Sequence, residues 1–147
     1  MIPIPRDFKE FLLSLNSHGV RYLLIGGYAV NYHGYVRGTA DMDVWIQIDP
    51  TNAQRIEQAL RQFGFGVPEL SSEMFLKPHT IVRMGVAPMR LEIVNTISGV
   101  EFDDCFERRV DSVIEGVPVP VIGLDDLKQH KRASGRDKDL VDLNRLP

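Results

Sequence analysis

Apolar residues at Phe8, Phe11, Leu12 and Leu15 recur at helical spacing, so "DFKEFLLSLNSHG" predicts an opening helix capped by Asp7 and stopped by Gly19. The continuous run "VRYLLIGG" then reads as a buried strand entering a glycine pair. "YAVNYHG" leaves room for about two helical turns before Gly34. The next strand, "DMDVWIQI", begins on carboxylates. A second long helix follows, with Asp49 as cap, Pro50 at the first position, Ile56, Leu60 and Phe63 facing a core, and Gly64 as stop. Two strands, "HTIVRMGV" and "MRLEIVNT", joined at Ala87 and Pro88, precede a short helix, "FDDCFERR". "VDSVI" and "VPVPVI" flank Glu115 and Gly116, a turn signal typical of a hairpin. "LDDLKQHKRAS" and "DKDLVDLNRL" close the chain as helices separated by Gly135. With no repeat, low-complexity tract or linker, the pattern predicts one domain over residues 1–147, of class α/β (α+β), with one central sheet flanked by helices.

Composition narrows the class of function. A hydrophobic content of 44% and a charged content of 25% are near globular averages and suggest neither disorder nor a membrane protein. No apolar run reaches the roughly 18 residues of a membrane helix, and "MIPIPRDFKE" lacks the design of a signal peptide, so a cytoplasmic location is expected. The single cysteine, Cys105, excludes an internal disulfide and is read as a packing residue. A net charge of -3 argues against a surface that holds nucleic acid nonspecifically, so any nucleotide recognition must be local.

The candidate chemistry starts at Asp41 and Asp43. Strand alternation puts them on one face, about 7 Å apart along the chain. Carboxylates this close repel, and a hard divalent ion such as magnesium relieves the repulsion; an amphipathic strand with a wet face is the plainer account of Asp-x-Asp alone. Gly26 and Gly27, ahead of a helix, are either a tight turn or a place where backbone N–H groups approach phosphate. There is no P-loop and no dinucleotide fingerprint. Glu92 is a lone acid in an apolar strand and needs an edge position, a salt bridge or a metal; Arg90, on the same face, is the expected ionic partner. Helical spacing from Leu124 and Leu127 sets Lys131 on an apolar face, either with its head reaching water or as a clamp on phosphate. Asp139 and Asp142 share a helical face and either orient Lys131 or Arg136 or are solvated charges. Arg37 meets a phosphate or covers its loop, and Trp45 packs in the core. His18, His33, His79 and His130 show no zinc spacing, and His33 is the only one expected near the site.

Taken together, "LIGGYAVNYHGYVRGTADMDVWI" and "RLEIV" resemble the minimal nucleotidyltransferases of the DNA polymerase beta superfamily: a strand ending Gly-Gly or Gly-Ser, a spacer, Asp-x-Asp, and a third acid on a later strand. "LDDLKQHKRASGRDKDLVDLNRL", "GVAPMRLEIV" and "GVEF" look like the AbiEii-like toxin branch and its uncharacterised relatives. The resemblance covers nearly the whole chain. It implies a nucleotidyltransferase fold with a mixed sheet, and transfer of a nucleoside monophosphate from an NTP such as ATP to an acceptor hydroxyl on tRNA, protein or a small molecule. It further implies two magnesium ions on Asp41, Asp43 and Glu92, and catalytic roles for these acids and Lys131. Nucleotide contacts fall to Gly26, Gly27, Arg37, Lys131, Arg136 and Asp139, and an antitoxin protein is the implied partner. The basic cluster Lys128, Lys131, Arg132, Arg136 and Lys138 keeps RNA open as an acceptor. The chain departs from the family at Gly27, where many members carry Ser, and at Glu92, where Asp is commoner. A module that binds NTP without efficient catalysis and acts through a protein partner is the alternative.

Overall fold

The computed structural model describes residues 3–86 and 89–147, so the expected joint at Ala87 and Pro88 lies outside the described residues. The elements follow in the order α1 (Arg6–Ser17), β1 (Tyr22–Ile25), α2 (Gly26–Tyr32), β2 (Asp41–Ile46), α3 (Pro50–Phe63), β3 (Ile81–Val86), β4 (Met89–Val94), α4 (Phe102–Glu107), β5 (Val110–Ile114), β6 (Val117–Val121), α5 (Leu124–Ser134) and α6 (Asp137–Arg145). The six strands form one mixed sheet in the order β3-β4-β2-β1-β6-β5.

The central strands carry the logic of the sheet. β1 is buried at all four positions, as a strand covered on both faces requires, and runs antiparallel to β2 with Ile25 opposite Asp43. β2 alternates instead: Met42 and Val44 are buried, while Asp41 and Asp43 turn to the other, partly open face. β4 lies parallel to β2 and sets Glu92 beside Asp43 and Arg90 beside Asp41. β5 and β6 form the expected hairpin, and Glu115 (φ 49°) and Gly116 (φ 84°) both take the left-handed conformation that a tight two-residue turn demands. The contact between β6 and β1 is sparse. Ile122 N–H donates to Leu24 O at 3.1 Å, but two and four residues earlier stand Pro120 and Pro118, which have no N–H to give.

The helices start and stop largely as their punctuation dictates. Asp49 accepts from Asn52 N–H at 3.0 Å and caps α3, and Gly64 ends it in left-handed geometry. α1 differs from expectation at its start: Pro5 is the cap residue and Asp7 makes no cap bond. The helix begins two residues earlier, so the Asp7 carboxylate lies in the first turn, where it still favours the helix dipole. Phe8, Phe11, Leu12 and Leu15 are buried as their spacing requires. A short 3-10 turn at Ser72–Leu76, with no periodic signature of its own, buries Phe75. Cys105 is fully buried.

Candidate active site

A cleft of about 1080 Å³ opens over the face of β2 and β4 that carries the carboxylates. Gly26, Gly27, Arg37, Asp41, Asp43, Glu92, Lys131, Arg136 and Asp139 all line it, although they come from both ends and the middle of the chain. Thr39, Arg83, His130 and Lys138 line it as well. Of the basic cluster, Lys131, Arg136 and Lys138 reach this cleft, whereas Lys128 and Arg132 lie outside its lining and do not form one basic surface with them.

Asp43 is the electrostatic centre. Burial, then the neighbouring Glu92 and Asp41 carboxylates, push its carboxyl up to about 6. Repulsion among acids therefore outweighs the more distant lysines. Glu92 is partly neutralised by a different arginine from the one expected: Arg83, directly opposite on β3, donates from Nε at 3.0 Å. Arg90 instead lies 3.8 Å from Asp41 Oδ1. The strand register decides this, because it sets Arg83 across from Glu92 and Arg90 across from Asp41.

The glycine pair has a steric explanation. At Gly26 (φ 67°) any Cβ would collide with Asp43 Oδ2, so the turn is closed around the carboxylate it presents. A Cβ on Gly27 would lie 2.5 Å from Thr39 Oγ1 and 3.2 Å from Arg37 Nη1. The space a side chain at position 27 would need is thus taken by the hydroxyl of Thr39, which donates to Asp41 O at 3.1 Å. Thr39 was not singled out by sequence; its signal was a hydroxyl two residues before Asp41 on the same loop. Gly27→Ser, which moves the chain toward the commoner residue, is accordingly expected to destabilise it by about 1–3 kcal/mol through overpacking. Thermal melts check this, and combining it with Thr39→Gly should regain part of the loss.

The far wall is an ionic lattice on α5 and α6. Lys131 is 4% exposed, and its Nζ donates to Asp139 Oδ1 at 2.9 Å while lying 3.1 Å from Asp142 Oδ2. Its head does not reach water; two carboxylates hold it inside the protein. Asp139 is fully buried and also accepts from Arg136 Nε at 2.7 Å and from Ser134 Oγ. Burial alone would raise its carboxyl, but these hydrogen bonds prevail and hold it well below the usual carboxylate range. Asp142 accepts both Nε and Nη2 of Arg37, each at 2.8 Å. That fork ties the loop before β2 to the last helix and fixes the guanidinium beside the glycine turn.

Two histidine expectations change. His33 is tied to Ile122 O at 2.6 Å and does not line the cleft, whereas His130 does, with Nδ1 3.0 Å from Ser98 O. Burial lowers the His130 imidazole below its ordinary value. Nothing in the local sequence separated the two, because their approach to the cleft depends on how α2 and α5 pack.

The donor set suits a hard cation. Asp41 and Asp43 supply oxygen alone, and burial followed by the Glu92 and Asp41 carboxylates makes a bare negative charge at Asp43 unfavourable. Among the described residues, no group of three or more His, Cys, Asp or Glu side chains is gathered as a cage; Glu92 pairs with Arg83 at 3.0 Å, and Asp41 lies 3.8 Å from Arg90. The aspartate pair is the part that fits a metal as it stands.

Comparison with known proteins agrees with this architecture. The family model for aminoglycoside-2''-adenylyltransferases matches residues 8–146. A Thermotoga maritima structure assigned as a candidate nucleotidyltransferase aligns with a TM-score of 0.64 at 19% identity, over 95% of this chain and 89% of that one. An antigenic nucleotidyltransferase-like protein from Paracoccidioides brasiliensis aligns with a TM-score of 0.54, also at 19% identity, over 98% of this chain and 77% of that one. No curated protein matches the chain. At such identities the structures speak for the fold, a nucleotidyltransferase fold, and the family model, spanning nearly the whole chain, places it more finely. The chain belongs to the aminoglycoside-2''-adenylyltransferase family.

Proposed function

We propose that this protein transfers a nucleoside monophosphate from an NTP to a hydroxyl of an acceptor. The observation that carries the reading is Asp41 and Asp43 on one open strand face beside the Gly26–Gly27 turn, with Asp43 pushed up to about 6 by burial and its neighbouring acids. Family membership supports the same reaction class. In the reaction the acceptor oxygen attacks the α-phosphorus, the bond to pyrophosphate breaks, and the hydroxyl proton passes to a carboxylate or to solvent. Asp41 and Asp43, with Glu92 beside Asp43 on the adjacent strand, would hold magnesium. The metal, when bound, neutralises phosphate charge and polarises the reacting phosphoryl group.

The chain's own residues supply the rest. Arg37, fixed by Asp142, lies beside the glycine turn and meets charge growing on the leaving pyrophosphate; Arg136 and Lys138 add to it from the opposite wall. Lys131 spends its bonds on Asp139 and Asp142, so its main effect is to hold α5 and α6 in register behind those cations. Glu92, level with Asp43 on the adjacent strand, is the nearest further carboxylate to take the acceptor proton.

Labelled nucleotide transfer tests the reading. With ATP, magnesium and an amino-sugar acceptor such as kanamycin, label should move to the acceptor, and chelation of the metal should abolish transfer. Unchanged transfer with excess chelator, or binding of ATP without turnover on amino-sugar, protein and tRNA acceptors alike, would sink it and leave a nucleotide-binding module. A toxin role with an antitoxin partner is a second reading. It rests on the resemblance of the C-terminal segment "LDDLKQHKRASGRDKDLVDLNRL" to the AbiEii-like toxin branch.

A further inference from the structure

A second cavity, of about 370 Å³, adjoins the first, and Thr96 and Ile97 line both. Its lining is largely aromatic and aliphatic. Trp45 of β2 packs edge-on against Phe102 with ring centroids 5.2 Å apart, and both residues line the cavity. Ile48, 39% exposed, and the half-buried Val100 stand beside them. Charge separates the two cavities. The larger carries Arg37, Arg83, Arg90, Arg136 and Lys138 among its acids, whereas no lysine or arginine lines the smaller one among the described residues. The exposed Glu101 and Asp103 do line it.

Acids at the start of α4 are explained in part by the helix dipole, and alone they would mark nothing. Trp45 is the independent sign of an occupant. It is 2% exposed, and its indole Nε1 is the one buried side-chain polar atom without a hydrogen-bond partner among the described residues. A buried N–H without an acceptor is costly, and such groups are rare in folded proteins. The amide nitrogen of Gln47, which also lines the cavity, is a donor itself and is spent on Asp103 Oδ1 at 2.9 Å. Neither Glu101 nor Asp103 forms an ion pair among the described residues. The cavity therefore presents one donor that lacks an acceptor and two carboxylates that lack cations.

From these features we infer that the smaller cavity is a docking site for a basic segment of a partner protein. An arginine or lysine of that segment lays its stem along the aromatic and aliphatic lining and its charged head against Glu101 and Asp103, while a main-chain carbonyl accepts from Trp45 Nε1. A peptide carries both needed groups, an acceptor oxygen and a cation, within one residue. A metal ion would satisfy the carboxylates and leave the indole bare, and a simple amine lacks the oxygen. The volume lies near the lower end of the roughly 300–1,000 Å³ of ligand pockets, which suits one long side chain with its peptide unit. Tryptophan, phenylalanine and arginine are also the residues enriched where proteins meet. The partner so placed rests beside the wall that Thr96 and Ile97 share with the larger cleft.

The inference goes beyond nucleotidyl transfer, and its test does not use activity. Trp45 is the only tryptophan in the chain, so its emission and its single indole N–H resonance report on this cavity alone. Titration of the full chain with the blocked peptide acetyl-Gly-Arg-Gly-Arg-Gly-amide should change the emission and move the indole proton downfield, as a new hydrogen bond requires. The same peptide with glutamate in place of arginine should bind at least tenfold more weakly. In calorimetry the double variant Glu101→Gln/Asp103→Asn should bind the arginine peptide at least tenfold more weakly than wild type, and Trp45→Phe, which keeps a ring and removes the N–H, should weaken it as well. Asp43→Asn should bind it within twofold of wild type, since the acids of the larger cleft are not its partners. Absence of peptide binding, binding with an unmoved indole resonance, or undiminished binding by the double variant would each overturn the docking site. Spermidine binding at Trp45 as tightly as the peptide would overturn it too, by showing a site for any polycation. Peptide binding at Trp45 in a protein that transfers no nucleotide would uphold it while the transfer reading fails.

Discussion

Asp43→Asn is expected to produce a protein that is both more stable and inactive. The wild-type carboxyl is pushed up to about 6, so above that pH it is ionised in a place that disfavours charge. A raised folded-state value means the associated stability is fully present below the unfolded value and lost as pH rises through about 6. Asparagine keeps the shape and stays neutral. Its gain over wild type should therefore be about 2–3 kcal/mol at pH 8 without metal, shrinking toward zero near pH 4. Urea unfolding at the two pH values measures it. Transfer activity should fall by more than about a hundredfold, beyond what loss of a residue that only supports metal ligands brings. Equal stability of the two proteins at pH 8 would show that burial and neighbouring acids do not disfavour charge at Asp43; wild-type activity would remove Asp43 from the site.

Asp139→Ala is expected to have the opposite signature, a large loss of stability. The carboxylate is fully buried and serves Lys131, Arg136 and Ser134 at once. Breaking a buried ionic contact from one side costs about 3–5 kcal/mol, and the low end applies here because Asp142 still faces Lys131. For a chain of 147 residues that corresponds to a melting point lower by roughly 10 °C. The pH dependence has its own sign. Asp139 is held well below the usual carboxylate range, so its stabilisation is present at neutral pH and lost as pH falls through that range and below. The variant should melt with a flatter acid limb than wild type. A melting point within 1–2 °C of wild type would contradict the claim that Lys131 depends on this partner.

Local chemistry explains what sequence disclosed and what it withheld. The helix over Pro50–Phe63 was legible because its cap, first-position proline and terminal glycine all act within a few residues. The acids of β2 were legible because a period of two assigns faces without knowledge of the neighbours. Glu92 was recognised, but its partner was not: choosing Arg83 over Arg90 requires the β3–β4 register. Lys131 was visible as a lysine in an apolar stripe, yet only the packing of α5 against α6 turns a head expected in water into a buried ion. Thr39 and His130 were missed because their importance comes from what they approach, and approach is a property of the assembled sheet and helices.

The uneven hydrogen bonding of the sheet has a dynamic consequence. From β3 to β1 the ladder is continuous, and these strands, with the loops at their ends, carry Asp41, Asp43, Glu92 and the glycine turn. Beyond β1, the prolines of β6 leave a seam, so the hairpin of β5 and β6 hangs on the block more through side chains than through backbone bonds. Opening at that seam leaves the spacing of the carboxylates undisturbed. Rigidity is thus concentrated where two like charges must be held side by side, and the give in the fold is displaced to an edge that bears none of them.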